Sequence, residues 1–161
     1  MPVKSTNVTR FLDAQNIEYT VQELPERKLG AMETAQFLGI PENQVYKTIV
    51  TKVKDSGIPL LVLVGGDTEV DLKALAKFLG EKKVIKVSQR EAENMTGLKA
   101  GGISPLALLN QGYRVIIDET AQTKKSINIS GGQWGLTLQI SPQDLADVTG
   151  AKFAPVSLVI T

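Results

Sequence analysis

The sequence predicts a single compact α/β domain of the α+β type, with a mixed, largely antiparallel sheet flanked by helices. A chain of 161 residues is typically one domain, and no linker, low-complexity tract or internal repeat divides it, so we expect residues 1–161 to fold together. Hydrophobic residues make up 42% of the chain and charged residues 22%, which is typical of a globular protein. Helix and strand signals follow one another without the regular alternation that a doubly wound parallel sheet requires.

The first half of the chain shows each kind of signal in turn. A helix is indicated where Ser or Thr can cap it, where apolar residues share one face, and where glycine follows its last turn. A strand is indicated by alternating apolar and polar residues or by a β-rich run, and an Asp-Ser-Gly turn between two such runs predicts a hairpin. In chain order, these elements are a helix capped by Ser5 or Thr6, a strand at Ile17–Leu24, a helix at Ala31–Leu38, and a hairpin of Val45–Val53 with Leu60–Val64.

The second half continues with the same signals. Asp71 and Gly80 bracket one helix, and the Ser88-Gln89-Arg90-Glu91 capping box opens another. Ser-Pro steps start two further helices, because proline suits the first turn. In chain order, the elements are a helix at Asp71–Leu79, a strand at Lys83–Val87, a helix from Ser88 to Gly97, a short helix at Leu106–Leu109, strands at Arg114–Asp118, Ser126–Ser130 and Leu136–Ile140, a helix from Ser141 to Gly150, and a strand at Lys152–Val156.

The chain contains no His and no Cys. These absences exclude disulfides, thiolate metal sites, cysteine nucleophiles and Ser–His dyads. Any catalysis must therefore use lysine, carboxylates, hydroxyls, backbone amides, an ion bound by carboxylates, or groups of the substrate. Of these routes we favour those without a metal site or a cofactor. Met1–Arg10 lacks the apolar core of a signal peptide, and the longest apolar stretch, Ile58–Val64, is too short to span a membrane. We expect a cytoplasmic protein that does not act at a membrane.

The net charge of +1 conceals a basic segment at Lys73–Lys99. That segment carries +4, whereas the rest of the chain carries −3. A local basic face can attract phosphates even when the whole molecule is near neutral, although a solvated helix-strand face has the same composition. Within this segment we predict Lys82, Lys83 and Lys86 as phosphate contacts.

Lys47 is the most unusual charge in the sequence. It lies in the β-rich run Val45-Tyr46-Lys47-Thr48-Ile49-Val50, where alternation places it on the same face as Ile49. If that face is covered, an ammonium there is costly unless it is paired, and it becomes a candidate to bind a carbonyl or phosphate oxygen. An edge-strand lysine that discourages aggregation would show the same pattern.

Two glycine-rich segments could bring backbone amides close to a ligand. They are Ala100-Gly101-Gly102-Ile103-Ser104-Pro105 and Ser130-Gly131-Gly132-Gln133-Trp134-Gly135. Amides in such loops can hold a carboxylate, a phosphate or a developing oxyanion, but ordinary turns between strands have the same composition. Trp134, the only tryptophan, could stack on a base or ribose or pack in the loop.

Several of these segments together resemble one family. Val45-Tyr46-Lys47-Thr48, Val70-Asp71-Leu72-Lys73-Ala74-Leu75-Ala76, Gly80-Glu81-Lys82-Lys83-Val84, Gly101-Gly102-Ile103-Ser104-Pro105, Ile117-Asp118-Glu119 and Ser130-Gly131-Gly132 occur in the order seen in YbaK-type aminoacyl-tRNA deacylases. These proteins are similar to the editing domain inserted in bacterial prolyl-tRNA synthetases. The resemblance extends from about Ile17 to Pro155.

The resemblance implies hydrolysis of the ester that joins a wrong amino acid to tRNA, typically tRNA(Pro) carrying Cys or another small amino acid. Misacylated tRNA would be the partner, with prolyl-tRNA synthetase or another synthetase beside it, and DNA would not be bound. The family lysine falls on Lys47 and the loop amide expected at the ester falls on Gly102. Family substrate contacts would fall on Thr48, Gly101, Ile103, Ser104, Pro105, Ser130 and Gly131. In such proteins the substrate assists, through its own thiol or through a positioned water helped by the ribose hydroxyl.

Two positions depart from the cysteinyl-specific pattern of the family. Leu24 stands where those members have a tyrosine, and Thr137 stands where they have an aspartate in a Gly-Leu-Asp step. Both changes remove polar groups near the expected pocket and bear on its amino-acid specificity. They also motivate a second hypothesis, a non-catalytic regulatory module of the same fold that binds tRNA or a synthetase.

Overall fold

The computed structural model describes residues 5–160, which form five α-helices and ten β-strands. The predicted domain of residues 1–161 extends past these bounds, and Met1–Lys4 and Thr161 lie outside the described residues. In chain order, the elements are α1 (Asn7–Ala14), β1 (Tyr19–Glu23), α2 (Ala31–Leu38), β2 (Tyr46–Val53), β3 (Pro59–Gly65), β4 (Thr68–Val70), α3 (Leu72–Leu79), β5 (Val84–Lys86), α4 (Gln89–Thr96), β6 (Arg114–Asp118), β7 (Ile127–Ser130), β8 (Leu136–Ile140), α5 (Pro142–Thr149), β9 (Lys152–Ala154) and β10 (Ser157–Val159).

The strands divide among three sheets. The largest has the order β5-β2-β3-β6-β9, in which β2 pairs antiparallel with β5 and β3, and β6 pairs parallel with β3 and β9. An antiparallel sheet of order β1-β8-β7 and an antiparallel pair, β10-β4, complete the fold. The predicted mixed and largely antiparallel pairing is confirmed, but it is distributed over three sheets and not built into one.

The predicted helix ends are confirmed by their capping contacts. The Ser88 hydroxyl accepts a hydrogen bond from the Glu91 amide at the start of α4, and Asp71 accepts one from the Ala74 amide at the start of α3. Glycine in the left-handed conformation ends α2, α3, α4 and α5, as expected of a residue without a Cβ. The short helix expected at Leu106–Leu109 is instead a single 3₁₀ turn at Pro105–Ala107.

Apolar side chains on the two faces of the large sheet form two core clusters. Along β3, Leu61 and Leu63 belong to the larger cluster, whereas Leu60, Val62 and Val64 belong to the smaller one, as alternation along a strand requires. The larger cluster joins the large sheet to the β1-β8-β7 sheet through residues such as Ile129. The smaller cluster is covered by α3. Across residues 5–160, none of the helices has the length and apolar character that crossing a membrane would require.

Candidate functional site

A cavity of about 410 Å³ opens where β2 loses its neighbour β5. Strand β5 pairs only with the last part of β2, from Thr51 to Val53, so among residues 5–160 the first part of β2 has no partner strand on that side of this sheet. Residues 45–50 form one wall of the cavity. The remaining walls come from Leu24, residues 27–31 and Thr34, from parts of both glycine-rich segments, and from the end of β5 and the start of α4.

Lys47 lies on β2 at the edge of this cavity. Its side chain is partly buried, and its Nζ donates a long hydrogen bond of 3.4 Å to the Gly66 carbonyl. Burial lowers the pKa of Lys47 below its usual value, and the positive charge of Lys86 acts in the same direction. The carboxylates of Glu69, Glu42 and Asp67 oppose this shift. Although β2 lies between β3 and β5 in the large sheet, β5 pairs only with Thr51–Val53, so within this sheet Lys47 is paired on the β3 side alone. The interpretation of Lys47 as an edge-strand lysine therefore stays an alternative prediction.

Thr48 contributes a hydroxyl without a partner. Its Oγ1 is buried and makes no hydrogen bond to any of residues 5–160, and no other buried side-chain oxygen or nitrogen of that part of the chain is in the same situation. Such a group costs free energy in the folded protein until a partner reaches it. Alternation places Thr48 and Lys47 on opposite faces of β2, yet both border the cavity because it lies at the open side of the strand.

The lining of the cavity is basic. Its charged residues are Arg27, Lys28, Lys47 and Lys86, and no Asp or Glu is among the described residues that line it. This arrangement favours an anionic or electron-rich ligand. Of the three lysines predicted to contact phosphates, Lys86 reaches the cavity, whereas Lys82 and Lys83 are exposed on the turn before β5 and do not line it.

The first glycine-rich segment is only partly at the cavity. Gly101 and Ile103 line it, and the hydrogen bonds of residues 5–160 include none in which either amide donates. The Gly102 amide instead donates to the Lys99 carbonyl at 2.8 Å, and Gly102 does not line the cavity. That amide closes a turn in this structure, and its direct contact with an ester stays a prediction.

Gly102 has a packing role in this structure. A Cβ at Gly102 would lie 3.2 Å from Gln133 Cα, so glycine lets the two glycine-rich segments pack closely. The last two residues of the segment, Ser104 and Pro105, are also outside the lining. Ser104 is fully buried and accepts a hydrogen bond from the Leu106 amide, and Pro105 begins the 3₁₀ turn. Their contact with a substrate stays a prediction.

The predicted pocket residues on the β1-β8-β7 sheet come together. Ser130 lies opposite Thr137 in the β7–β8 pairing, and the Leu24 amide donates to the Gly135 carbonyl at 2.8 Å. Leu24, Ser130 and Thr137 all line the cavity. Thr137 is buried, and its hydroxyl donates to the Ile129 carbonyl at 3.0 Å. Gly131 is outside the lining, and its amide donates to the Leu136 carbonyl at 2.9 Å, so its contact with a substrate stays a prediction.

Sequence reasoning missed the segment at residues 24–31 apart from Leu24. This segment crosses the cavity and brings Arg27 and Lys28 to it. Gly135 supports the segment, because a Cβ there would lie 2.8 Å from Glu26 Cγ. The sequence feature that could have indicated this segment is the basic pair Arg27-Lys28, which follows Pro25 in a stretch without helix or strand signals. Among the described residues, no cluster of three or more acidic side chains could hold a metal ion.

Comparison with known proteins agrees with this architecture. The model of the aminoacyl-tRNA editing domain matches residues 26–148. EbsC of Enterococcus faecalis, described as a candidate Cys-tRNA(Pro)/Cys-tRNA(Cys) deacylase, is 31% identical over 96% of this chain and 94% of its own length. A proline–tRNA ligase of Thermodesulfovibrio yellowstonii is 32% identical over 59% of this chain, which corresponds to only 16% of the ligase.

Solved structures show the same fold. A candidate trans-editing enzyme for prolyl-tRNA synthetase superimposes with a TM-score of 0.79 at 25% identity, over 97% of this chain and 99% of that one. The hypothetical protein APE2540 superimposes with a TM-score of 0.86 over 94% of this chain and 99% of that one, and at 24% identity it supports the fold alone. The extent of these matches shows that the chain belongs to the aminoacyl-tRNA editing domain family.

Proposed function

We propose that the protein is an aminoacyl-tRNA deacylase that acts in trans, hydrolysing the ester of mischarged tRNA. The observation that carries this proposal is the basic cavity, which Lys47 and Thr48 line on one side and Gly101 and Ile103 on another. Among residues 5–160, the covered Thr48 hydroxyl and the Gly101 and Ile103 amides have no hydrogen-bond partner. Membership of the editing-domain family, together with the name of EbsC, supports the same activity. The favoured substrate is tRNA(Pro) carrying Cys or another small amino acid.

The chemistry proceeds without a histidine base or a cysteine nucleophile, since the chain contains neither. Water adds to the ester carbonyl, the bond from that carbon to the ribose oxygen breaks, and the ribose oxygen takes up a proton as the amino acid leaves. The Lys47 ammonium and the loop amides of Gly101 and Ile103 stabilise the negative charge that develops on oxygen. Substrate groups, such as the neighbouring ribose hydroxyl or a cysteine thiol, complete the proton transfers.

The neutral polar groups of the cavity set its amino-acid preference. Thr48, Ser130 and Thr137 contribute hydroxyls, and Leu24 adds apolar surface where a tyrosine would carry another hydroxyl. A change of rotamer at Thr48 would turn its Oγ1 from its covered position toward a bound aminoacyl group. This lining suits a small, uncharged side chain, and a hydroxyl at Thr137 in place of a carboxylate disfavours strict selection for cysteine.

The reaction defines the partners and the location that we propose. Misacylated tRNA is the substrate, and prolyl-tRNA synthetase is a candidate source, since proline–tRNA ligases contain a segment similar to part of this chain. Phosphates of the tRNA would meet Lys86 at the rim and Lys82 and Lys83 on the adjoining turn. Translation takes place in the cytoplasm, where we expect the protein to act.

The test is release of amino acid from a panel of tRNAs mischarged with Cys, Ala and other residues, measured for the wild type and for Lys47→Ala. We expect hydrolysis of at least one tRNA carrying a small amino acid, and its loss in Lys47→Ala. Lys54→Ala is the matched control, because Lys54 is exposed just past the end of β2 and should leave the rate unchanged. Tight tRNA binding without hydrolysis would instead favour the non-catalytic module.

A further inference from the structure

Trp134 stands between the cavity and a second recess. The recess has a volume of about 510 Å³, and its lining includes Lys28, Gln89, Glu93, Lys99 and Trp134. Trp134 also borders the main cavity, as do Lys28 and Gln89, so the two spaces share a wall. Lys99 lines the recess but not the main cavity.

The Trp134 ring is held in place and its polar group is already satisfied. Its indole N–H donates to the Ala100 carbonyl at 2.9 Å, while the Ala100 amide donates to the Glu93 carboxylate at 2.8 Å. The ring is only half-buried, so part of its surface remains available for stacking. A fixed aromatic ring loses little freedom when a flat ligand packs on it.

Two lysines line the recess with this ring, together with the carboxylate of Glu93. The Lys99 ammonium lies 4.6 Å from the ring centroid, and the Lys28 ammonium donates to the Gln89 side chain at 2.7 Å. Both lysines are exposed, and neither forms an ion pair with an acidic side chain of residues 5–160. Stacking of a nucleobase on an aromatic side chain is stronger than an exposed cation–π contact, so a base can displace Lys99 from the ring.

We propose that this recess is a nucleotide subsite, in which a base stacks on Trp134 while Lys99 and Lys28 contact its 5′-phosphate. Because the recess shares a wall with the main cavity, the nucleotide placed there would be the terminal adenosine that carries the aminoacyl ester. This assignment rests on the proposed deacylase function and specifies the part of the tRNA that sits at the mouth of the cavity. Lys99 then moves from the ring to the phosphate when the nucleotide binds.

Trp134 reports on its own occupancy, because it is the only tryptophan in the chain. Titration with adenosine 5′-monophosphate should change its fluorescence in a saturable manner. Ribose 5-phosphate, which has the phosphate but no base, should bind more weakly and leave the emission nearly unchanged. An absence of any saturable response to the nucleotide, or an equal response to ribose 5-phosphate, would overturn the stacking assignment.

Variants separate stacking from charge. By calorimetry, Trp134→Ala should weaken binding of adenosine 5′-monophosphate by about tenfold, and Trp134→Phe by less, as expected for loss or reduction of one base stack. Lys99→Met should weaken binding and reduce its salt dependence, whereas the exposed control Lys125→Met should leave both unchanged. Unchanged affinity in Trp134→Ala, with a melting curve that shows a folded variant, would contradict the proposal.

The outcome is independent of ester hydrolysis. If mischarged tRNA is hydrolysed but the nucleotide neither changes the Trp134 emission nor binds in a Trp134-dependent way, the subsite is wrong and the deacylase stands. If the nucleotide binds as expected but no mischarged tRNA is hydrolysed, the deacylase function fails while the binding result is retained.

Discussion

Replacement of Thr48 by valine should make the protein more stable and less active. Valine has nearly the shape of threonine, so the change removes the hydroxyl and leaves the packing on β2 in place. The Thr48 Oγ1 is buried and has no hydrogen-bond partner among residues 5–160. An unsatisfied buried hydroxyl costs about 1–3 kcal/mol, and removing it should recover about 1 kcal/mol of that cost. For a chain of this length, 1 kcal/mol raises the melting temperature by about 2–4 °C.

The effect on activity should have the opposite sign. If the hydroxyl contacts the aminoacyl group in the bound state, its removal costs one hydrogen bond of about 0.5–1.5 kcal/mol, or roughly two- to tenfold in kcat/KM for deacylation. Stability is measured by thermal and urea unfolding, and activity by release of amino acid from the preferred mischarged tRNA. A hydroxyl whose only hydrogen-bond partner is the substrate should, when removed, both raise the stability of the free protein and lower its activity.

Thr51→Val is the matched control on the same strand. The Thr51 hydroxyl is buried but donates to the Leu60 carbonyl at 3.4 Å, and Thr51 does not line the cavity. We expect Thr51→Val to be destabilised by about 0.5–1.5 kcal/mol, with kcat/KM unchanged. A Thr48→Val protein that melts lower than the wild type would refute the reasoning, because the hydroxyl would then have a stabilising partner. Unchanged activity would remove Thr48 from the proposed site.

Three further predictions concern charge and backbone geometry. Burial lowers the pKa of Lys47, so its charge destabilises the folded protein until the pH nears the unfolded value of 10.5. Lys47→Met should therefore have a melting temperature no lower than that of the wild type at pH 7, and any gain in melting temperature should shrink toward about pH 10. A clearly lower melting temperature of the variant at pH 7 contradicts this. Gly135→Ala should cost about 1–2 kcal/mol in urea unfolding, because φ is +88° and the new Cβ would meet Glu26; an unchanged midpoint argues against this packing. Charge reversal at Lys82 and Lys83 should weaken tRNA binding and reduce the slope of log affinity against log salt concentration by about 1 for each phosphate contact that is lost. An unchanged slope rejects Lys82 and Lys83 as contacts to tRNA phosphates.

Local signals predicted most of the secondary structure. The hairpin of β2 and β3 and the caps of α3 and α4 depend on residues close together in sequence, and these predictions are confirmed. Strands β4 and β10 were missed, because each has only three residues and they pair with each other across the chain, with Ser157 opposite Val70. Neither segment is long enough to show alternation, and their pairing is a tertiary property.

The sequence indicated which residue types form the candidate site, but not how those residues are arranged in space. The β-rich context of Lys47 indicated an unusual lysine, but its place at a cavity depends on how early β5 ends, which no motif encodes. The hydrogen bond that occupies the Gly102 amide is equally invisible in a Gly-Gly pattern. Lys28 was missed because it lies in an irregular segment that reaches the cavity only through packing against Gly101, where an added Cβ would lie 3.3 Å from the Lys28 side chain.

The proposed activity depends most directly on whether Lys47 acts on the ester. Single-turnover deacylation should be measured with the mischarged tRNA that the wild type hydrolyses fastest, comparing wild type, Lys47→Met and Lys54→Met. We predict that Lys47→Met binds this tRNA and remains folded, but releases amino acid at a rate close to that of spontaneous hydrolysis, while Lys54→Met matches the wild type. A Lys47→Met protein that deacylates as fast as the wild type would contradict the proposed role of this lysine and, with it, the mechanism.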